Sequence, residues 1–398
     1  MKPKLLYLVH RIPYPPNKGD KIRSFHFLQA LVAEYEVYLG TFIDDPDDLQ
    51  HIETLSGICK KICCIDLNPR LAKIHSLAGL VTNEALSLPY YRDARLQAWV
   101  DDTIREQSID RALIFSSPMA QYVQKYTSLT VVADFVDVDS DKWRQYALSK
   151  TWPASWVYRR EAAKLLEYER RTAARAEATL FVSEQEADLF KTLAPESVPK
   201  ITFVNNGVDT ERFNPALDYQ LPFSSESKSI VFTGAMDYWA NVDAVKWFAE
   251  QVLPLIAAKC PEVRFYIVGS KPAREILQLA ENDSAVVVTG RVDDVRPYLA
   301  YADVVVAPLR IARGIQNKVL EALAMNKPVV ASSAAMEGIP PDQDLQLVIA
   351  DTPEDYAECV LALLVNRCAQ SEANRRYVRQ HFGWAENGRR LQHMLSGE

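Results

Sequence analysis

The chain has 398 residues, a length that as a prior suggests two or three domains, and 48% of them are apolar against 24% charged, which excludes a disordered or fibrous chain. A formal net charge of −7 speaks against a general nucleic-acid surface, though not against a local basic patch. No run of eighteen apolar residues exists, which excludes a membrane-spanning helix, and the apolar stretch in MKPKLLYLVHRIPYPP is too short for a signal peptide.

The expectation is therefore a cytoplasmic protein, touching a membrane at most from the inner face. The six cysteines, among them the adjacent Cys63 and Cys64, fall at no zinc-like spacing and read as reduced thiols.

In chain order, KLLYLVH, EVYLGTFI, KKICCIDL, RALIFSS, TVVADFV and ATLFVS predict strands. Each is a short apolar run, as expected of a strand covered on both faces. Helical stretches separate them, such as Lys21 to Ala33 and a long one from Ser155 to Ala178. The segment Val198 to Leu221 gathers Pro, Asn, Ser and Gly and predicts a domain boundary.

The pattern then restarts with SIVFTG, VRFYIVG, AVVVTG, DVVVAPL, KPVVAS and LQLVIA. Helices are predicted at Val242 to Ala257 and Pro353 to Asn366, and the last segment, RRYVRQHFGWAENGRRLQHMLSGE, reads as one or two more. Strand–helix alternation implies parallel sheets with right-handed crossovers. Six strands twice over imply an α/β protein of two doubly wound, Rossmann-like domains facing across a cleft, with ligands outside the carboxyl ends of the strands.

The most informative stretch is RIARGIQNKVLEALAMNKPVVAS, which follows the strand DVVVAPL. A loop at a strand's carboxyl end opens a helix, whose N-terminus offers free N–H groups and a positive dipole to an anion. Arg310, Arg313 and Lys318 add charge there, and Gly314 lies between them. Glu321 falls in the first turns of an otherwise apolar helix, where a carboxylate can accept both hydrogen bonds of a vicinal diol such as a ribose. The stretch predicts a nucleoside diphosphate site; the competing reading is a solvated Glu beside ordinary basic loop residues.

NKVLEALAMNKPVVAS resembles the C-terminal signature of the family 4 glycosyltransferases, which have the GT-B fold. VNNGVDTERFNP resembles their interdomain segment, and IVFTGAMDYWANVDAVKWF the first strand–loop–helix of their donor domain. FYIVGS and VVVTGRVDDVRPYLAYADVVVAPL resemble the next two units, and HFGWAENGRRL their closing helix. The stretches DFVDVDSDKWRQYA and FTGAMDYWANVDAVKWF look like sugar transferases found with bacterial exopolysaccharide and PEP-CTERM/exosortase gene clusters.

The resemblance implies an acceptor-binding domain over 1–200, a nucleotide-sugar domain over 201–375, and a closing helix over 376–398 that packs back on the first domain. It implies transfer of a sugar, with retention and without a metal or other cofactor, from a UDP- or GDP-linked donor to the hydroxyl of a glycan or lipid-linked acceptor.

By the same resemblance Gly234 and Arg291 join Arg310, Arg313, Gly314, Lys318 and Glu321 on the donor side. Gly19 lets its loop approach the donor phosphate, since glycine tolerates positive φ; a helix cap at Asp20 is the competing account. His10, at the end of the first strand, is a candidate on the acceptor side or a hydrogen-bonded structural histidine.

In DFVDVDS, Asp134 is a further acceptor-side candidate and Asp137 the candidate catalytic carboxylate that orients or deprotonates the hydroxyl. Asp137 and Asp139 also mimic a metal-binding Asp-x-Asp, and all three acids could instead be caps and turn residues.

Two departures stand out. The family's usual pair of glutamates eight positions apart is Arg313 and Glu321 here, and Gly234 is followed by Ala235 and Met236 where many members have Gly-Arg.

The long helix and its approach carry Trp152, Trp156, Arg159 and Arg160, which could meet anionic lipid head groups. An amphipathic helix with ion pairs such as Glu167 with Arg171 is the alternative. Rival functions are a sugar-nucleotide epimerase on the same fold, which the scarcity of His in the loops disfavours, and a non-catalytic sugar-nucleotide sensor or assembly partner, which Arg313 favours. An NAD enzyme is disfavoured because no G-x-G-x-x-G opens either half.

Overall fold

The computed structural model describes residues 2–16, 19–148, 150–223, 227–312, 315–340, 342–365 and 372–396. The chain divides into two compact units, Met1–Asn205 with Trp384–Glu398, and Asn206–Gly383. Residues 376–383, expected in the closing segment, thus group with the second unit, because the helix Glu372–His381 packs on that unit's Asn317–Ala324 helix.

The first unit holds β1 (Lys4–Val9), β2 (Glu36–Ile43), β3 (Lys61–Asp66), β4 (Arg111–Phe115), β5 (Thr130–Val136), β6 (Ala178–Phe181) and β7 (Ile201–Phe203) in the order β3-β2-β1-β4-β5-β6-β7. All neighbours are parallel. Leu5, Leu6, Tyr7, Leu8 and Val9 of β1 are all fully buried, which is why that run has no polar alternation.

The strand β7 was not expected. It has only three residues, right after Pro199 and Lys200, too few to show a period. The long helix ends at Arg175 rather than Ala178, since Ala176 turns extended and Ala178 already pairs in β6.

The terminal helix Trp384–Ser396 lies along the helix Gly19–Glu34. A Cβ on Gly388 would come within 2.6 Å of the Ala30 Cβ, so only glycine permits this approach. Trp384 stacks on His26 at 4.5 Å and Gln392 Nε2 donates to the Ala30 carbonyl at 2.8 Å.

The second unit holds β8 (Lys228–Thr233), β9 (Val263–Val268), β10 (Val286–Gly290), β11 (Val304–Ala307), β12 (Val329–Ala331) and β13 (Leu347–Ile349), parallel and in the order β10-β9-β8-β11-β12-β13. These are the six predicted strands. The helix expected over Val242 to Ala257 begins at Trp239 and passes through a π-turn at Phe248–Val252 just before Pro254, which lacks an N–H to continue the α ladder.

In each unit the strand order reverses once. β1, β2 and β3 run outward on one side and β4 starts the other; β8, β9, β10 and then β11 repeat the device. The carboxyl ends of β1/β4 and of β8/β11 are therefore the two places where loops part and a ligand can enter.

Candidate functional site

In the second unit the β8/β11 reversal point gathers Gly234, Lys318 and Glu321. Gly234 follows β8, and the helix Asn317–Ala324 follows β11. Its N-cap residue Gln316 supplies no side-chain cap to the first turn. Among the described residues the buried Asn317 Oδ1 has no partner.

The Lys318 ammonium donates to Asn241 Oδ1 at 2.6 Å and sits 4.1 Å from the centre of the Phe232 ring. Asn241 Nδ2 in turn donates to the Ala235 carbonyl at 2.9 Å. A Cβ on Gly234 would lie 2.7 Å from Asn241 Nδ2 and 3.3 Å from Lys318 Nζ, so the missing side chain is what lets this lysine settle over β8. Gly269, after β9, is equally constrained: its Cβ would fall 1.6 Å from the Gly234 carbonyl oxygen.

Glu321 stands one helical turn after Lys318 and is half-buried, not on the outer surface. Among the described residues no side chain or backbone group donates to its carboxylate. Burial pushes its pKa up to about 7 against the pull of Lys318 and of Arg212. Burial likewise brings Lys318 down to about 7, with Glu321 opposing. A lysine and a glutamate that both hesitate over their charge form a polar pair suited to a ligand with an anionic end and a hydroxyl end.

The other donor-side candidates fare differently. The exposed Arg310 guanidinium is clamped by the Asp243 carboxylate, Nε donating at 3.0 Å, so its charge is already compensated. Arg291 is exposed at the end of the edge strand β10, two strands from β8, and does not join the group. Arg313 and Gly314 lie outside the described residues.

In the first unit His10 lies at the β1/β4 reversal point, and Asp137, Asp139 and Lys142 follow β5, the next strand beyond β4, with Asp139 near enough to His10 to interact electrostatically. His10 follows β1, stacks on Phe115 at 5.9 Å and has its Nε2 3.5 Å from Asp20, which Arg11 also contacts at 2.7 Å. Its buried Nδ1 has no partner among the described residues. Burial opposes ionisation of Asp20, yet His10 and Arg11 hold it well below the usual carboxylate range.

Val136 and Ser116 adopt φ of 71° and 76° at the ends of β5 and β4. A β-branched residue at positive φ is a costly conformation, of order 1–3 kcal/mol, of the kind that gathers at functional sites.

That kink aims Asp137 and Asp139 at one cation. Lys142 Nζ donates to Asp137 at 2.6 Å and to Asp139 at 3.2 Å, taking the place a metal would occupy in an Asp-x-Asp site. Burial raises Asp139 despite Lys142. Beneath it, Glu169 is fully buried and accepts from Ser140 Oγ at 2.5 Å; burial and the Asp139 charge push it up to about 8. Among the described residues no three His, Cys, Asp or Glu side chains are arranged to hold a metal ion.

One sequence expectation is corrected here. Asp134 is fully buried and held by Arg23, Nε at 2.7 Å and Nη2 at 3.1 Å, so it cannot reach an acceptor. Arg23 Nη1 also donates to the Val204 carbonyl at 2.6 Å, tying the helix Gly19–Glu34 to β5 and the end of β7. Gly19 is the first residue of that helix and is not among the positive-φ glycines, so its conformational freedom is unused; what it leaves is open space, with nothing within 4 Å of a Cβ.

Sequence reasoning missed Asn241, Phe232, Arg212 and Glu169. The first two lie in a quoted stretch, but only the crossover from β8 brings them to Lys318.

Residues 227–366, which contain the β8/β11 group, match the family model of the glycosyl transferases group 1. No curated protein matches the sequence. Solved structures match along the whole chain. Sucrose-phosphate synthase from Thermosynechococcus elongatus is 16% identical with a TM-score of 0.71, covering 100% of this chain and 99% of that one. Anabaena HepE, solved in complex with UDP, is 15% identical with a TM-score of 0.67, covering 99% and 100%. WaaG, described as a glycosyltransferase involved in lipopolysaccharide biosynthesis, is 17% identical with a TM-score of 0.64, covering 99% and 100%. The fold is GT-B.

Proposed function

We propose that this protein is a glycosyltransferase that moves a sugar from a nucleoside diphosphate donor to an acceptor hydroxyl. The observation that carries the reading is the Lys318–Glu321 turn at the β8/β11 reversal point, inside the segment that matches group 1 glycosyl transferases. Lys318 and the first-turn N–H groups of the helix take the diphosphate, and Glu321 accepts from the ribose hydroxyls. The complex of HepE with UDP supports a uridine nucleotide as the first donor to try.

Unit 1 presents the acceptor. Asp137, oriented by Lys142, accepts the proton of the acceptor hydroxyl as its oxygen bonds to the anomeric carbon. The bond from that carbon to the diphosphate breaks on the same face that the acceptor oxygen enters, as retention requires, and the diphosphate leaves with the electron pair. Lys318 then faces the growing negative charge, which is where a fixed cation accelerates the step. Retention, independence from metal, a hexose as the transferred sugar and a role in exopolysaccharide or other cell-surface glycan synthesis belong to the same proposal.

Nucleotide release from UDP- and GDP-sugars, with a glycan or lipid-linked acceptor present, tests it. Acceptor-dependent release that survives EDTA supports the reading. Tight nucleotide binding with no release from any donor favours the sensor that Arg313 suggests.

A further inference from the structure

Large apolar side chains are unusually exposed over two short stretches of unit 1. Leu71, Ile74, Leu77 and Val81 are 54%, 63%, 54% and 89% exposed, and Trp152 and Trp156 are 80% and 52% exposed. The first four lie on and just after the helix Pro69–Ser76; the tryptophans flank the start of the helix Ala154–Arg175.

These stretches are one surface. Arg160, one turn after Trp156 and on the same helix face, donates to the Gly79 carbonyl at 2.7 Å and the Glu84 carbonyl at 3.0 Å. The next residue, the buried Glu161, accepts from Ser87 N at 2.9 Å and Ser87 Oγ at 2.6 Å. The patch is thus bolted to the core from below while its apolar tips stand free.

Its charge is the reverse of the chain's. Residues 69–81 and 150–160 hold five Lys or Arg and no Asp or Glu, in a chain of net −7. Arg70, Lys73, Lys150 and Arg159 are exposed around the apolar tips. Protruding aliphatic and Trp side chains ringed by long cationic ones suit an interface of acyl chains below and anionic head groups above.

We propose that this surface docks unit 1 on an anionic phospholipid membrane. It lies at the carboxyl end of its sheet, since the helix Pro69–Ser76 follows β3 and the helix Ala154–Arg175 runs back to the start of β6. His10 and Asp137 occupy that same end, so docking would bring the β1/β4 site to the head-group layer. The docking does not depend on the sugar-transfer reading and can fail or stand by itself.

The test is co-sedimentation with vesicles of phosphatidylcholine alone or mixed with phosphatidylglycerol, with tryptophan quenching by brominated lipid. Binding should need phosphatidylglycerol, weaken with salt, and bring quenching that Trp152→Phe with Trp156→Phe removes. Ile74→Glu with Val81→Glu should lower partitioning roughly tenfold or more, while UDP affinity and secondary structure stay as in the parent. Absence of binding to mixed vesicles, or equal binding by the Glu variant, overturns the proposal. So does a dimer in solution that the Glu variant dissolves, because the occupant would then be a second copy.

Discussion

The Lys318 ammonium lies 2.6 Å from the side-chain oxygen of Asn241, and this bond spans the crossover between the two strands where the second sheet reverses its order. An amide oxygen compensates part of a charge but does not neutralise it, so the lysine remains available to a diphosphate. Lys318→Met keeps the stem over Phe232 and removes the charge. The expected outcome is a loss of about 1.5–3 kcal/mol in UDP or GDP affinity by calorimetry, with an unfolding midpoint that does not fall, because burial of this ammonium costs the fold stability at neutral pH.

Nucleotide affinity should peak near pH 7. Lys318 has its pKa lowered to about 7 in the fold and Glu321 has its raised to about 7. Above that pH Lys318 loses the proton that the diphosphate needs; below it Glu321 gains one and stops accepting from both ribose hydroxyls. Stability moves the other way. Between the unfolded pKa of Glu321 and about 7 the native state binds the extra proton, so this group's contribution falls as pH rises. From about 7 up to the unfolded pKa of Lys318 the unfolded chain binds the extra proton, so that contribution rises. Calorimetry at pH 8 in buffers of different ionisation enthalpy should show proton uptake on nucleotide binding, and Lys318→Met should abolish it.

Asp137 carries the acceptor chemistry in this account, with Lys142 at 2.6 Å as its anchor. Asp137→Asn should lower kcat by about 10²–10⁴ and leave nucleotide affinity unchanged, as measured by acceptor-dependent nucleotide release. A normal kcat would make Asp137 a turn residue.

The pair Arg23 and Asp134 is structural. Asp134→Asn leaves a buried guanidinium short of its partner and should destabilise the fold by about 3–5 kcal/mol in chemical denaturation, with loss of both nucleotide and acceptor binding only as far as the protein unfolds.

Much of this was legible in the chain. Apolar runs such as SIVFTG and DVVVAPL name buried parallel strands with little ambiguity, because nothing else so short and apolar alternates with amphipathic helices. Lys318 and Glu321 were legible because they open a helix that follows a loop at a strand's carboxyl end, where free N–H groups and added cations suit an anion. What was hidden was pairing across distance. Asp134 and Asp137 look alike in DFVDVDS, yet a single partner, Arg23, far away in sequence, buries the first and leaves the second at the surface. Arg310 looks like a phosphate ligand until the fold sets Asp243 beside it. β7 escaped because three residues carry no period.

The proposed function depends most on the carboxylate of Glu321, which accepts no hydrogen bond within the described fold, holding the ribose of a nucleoside diphosphate. Calorimetric titration of UDP and GDP into the parent protein and into Glu321→Ala decides this. Binding of at least one nucleotide by the parent, weakened by about 1.5–3 kcal/mol in a variant that keeps the parent's secondary structure, is the predicted result. Equal affinity in the two proteins would contradict it.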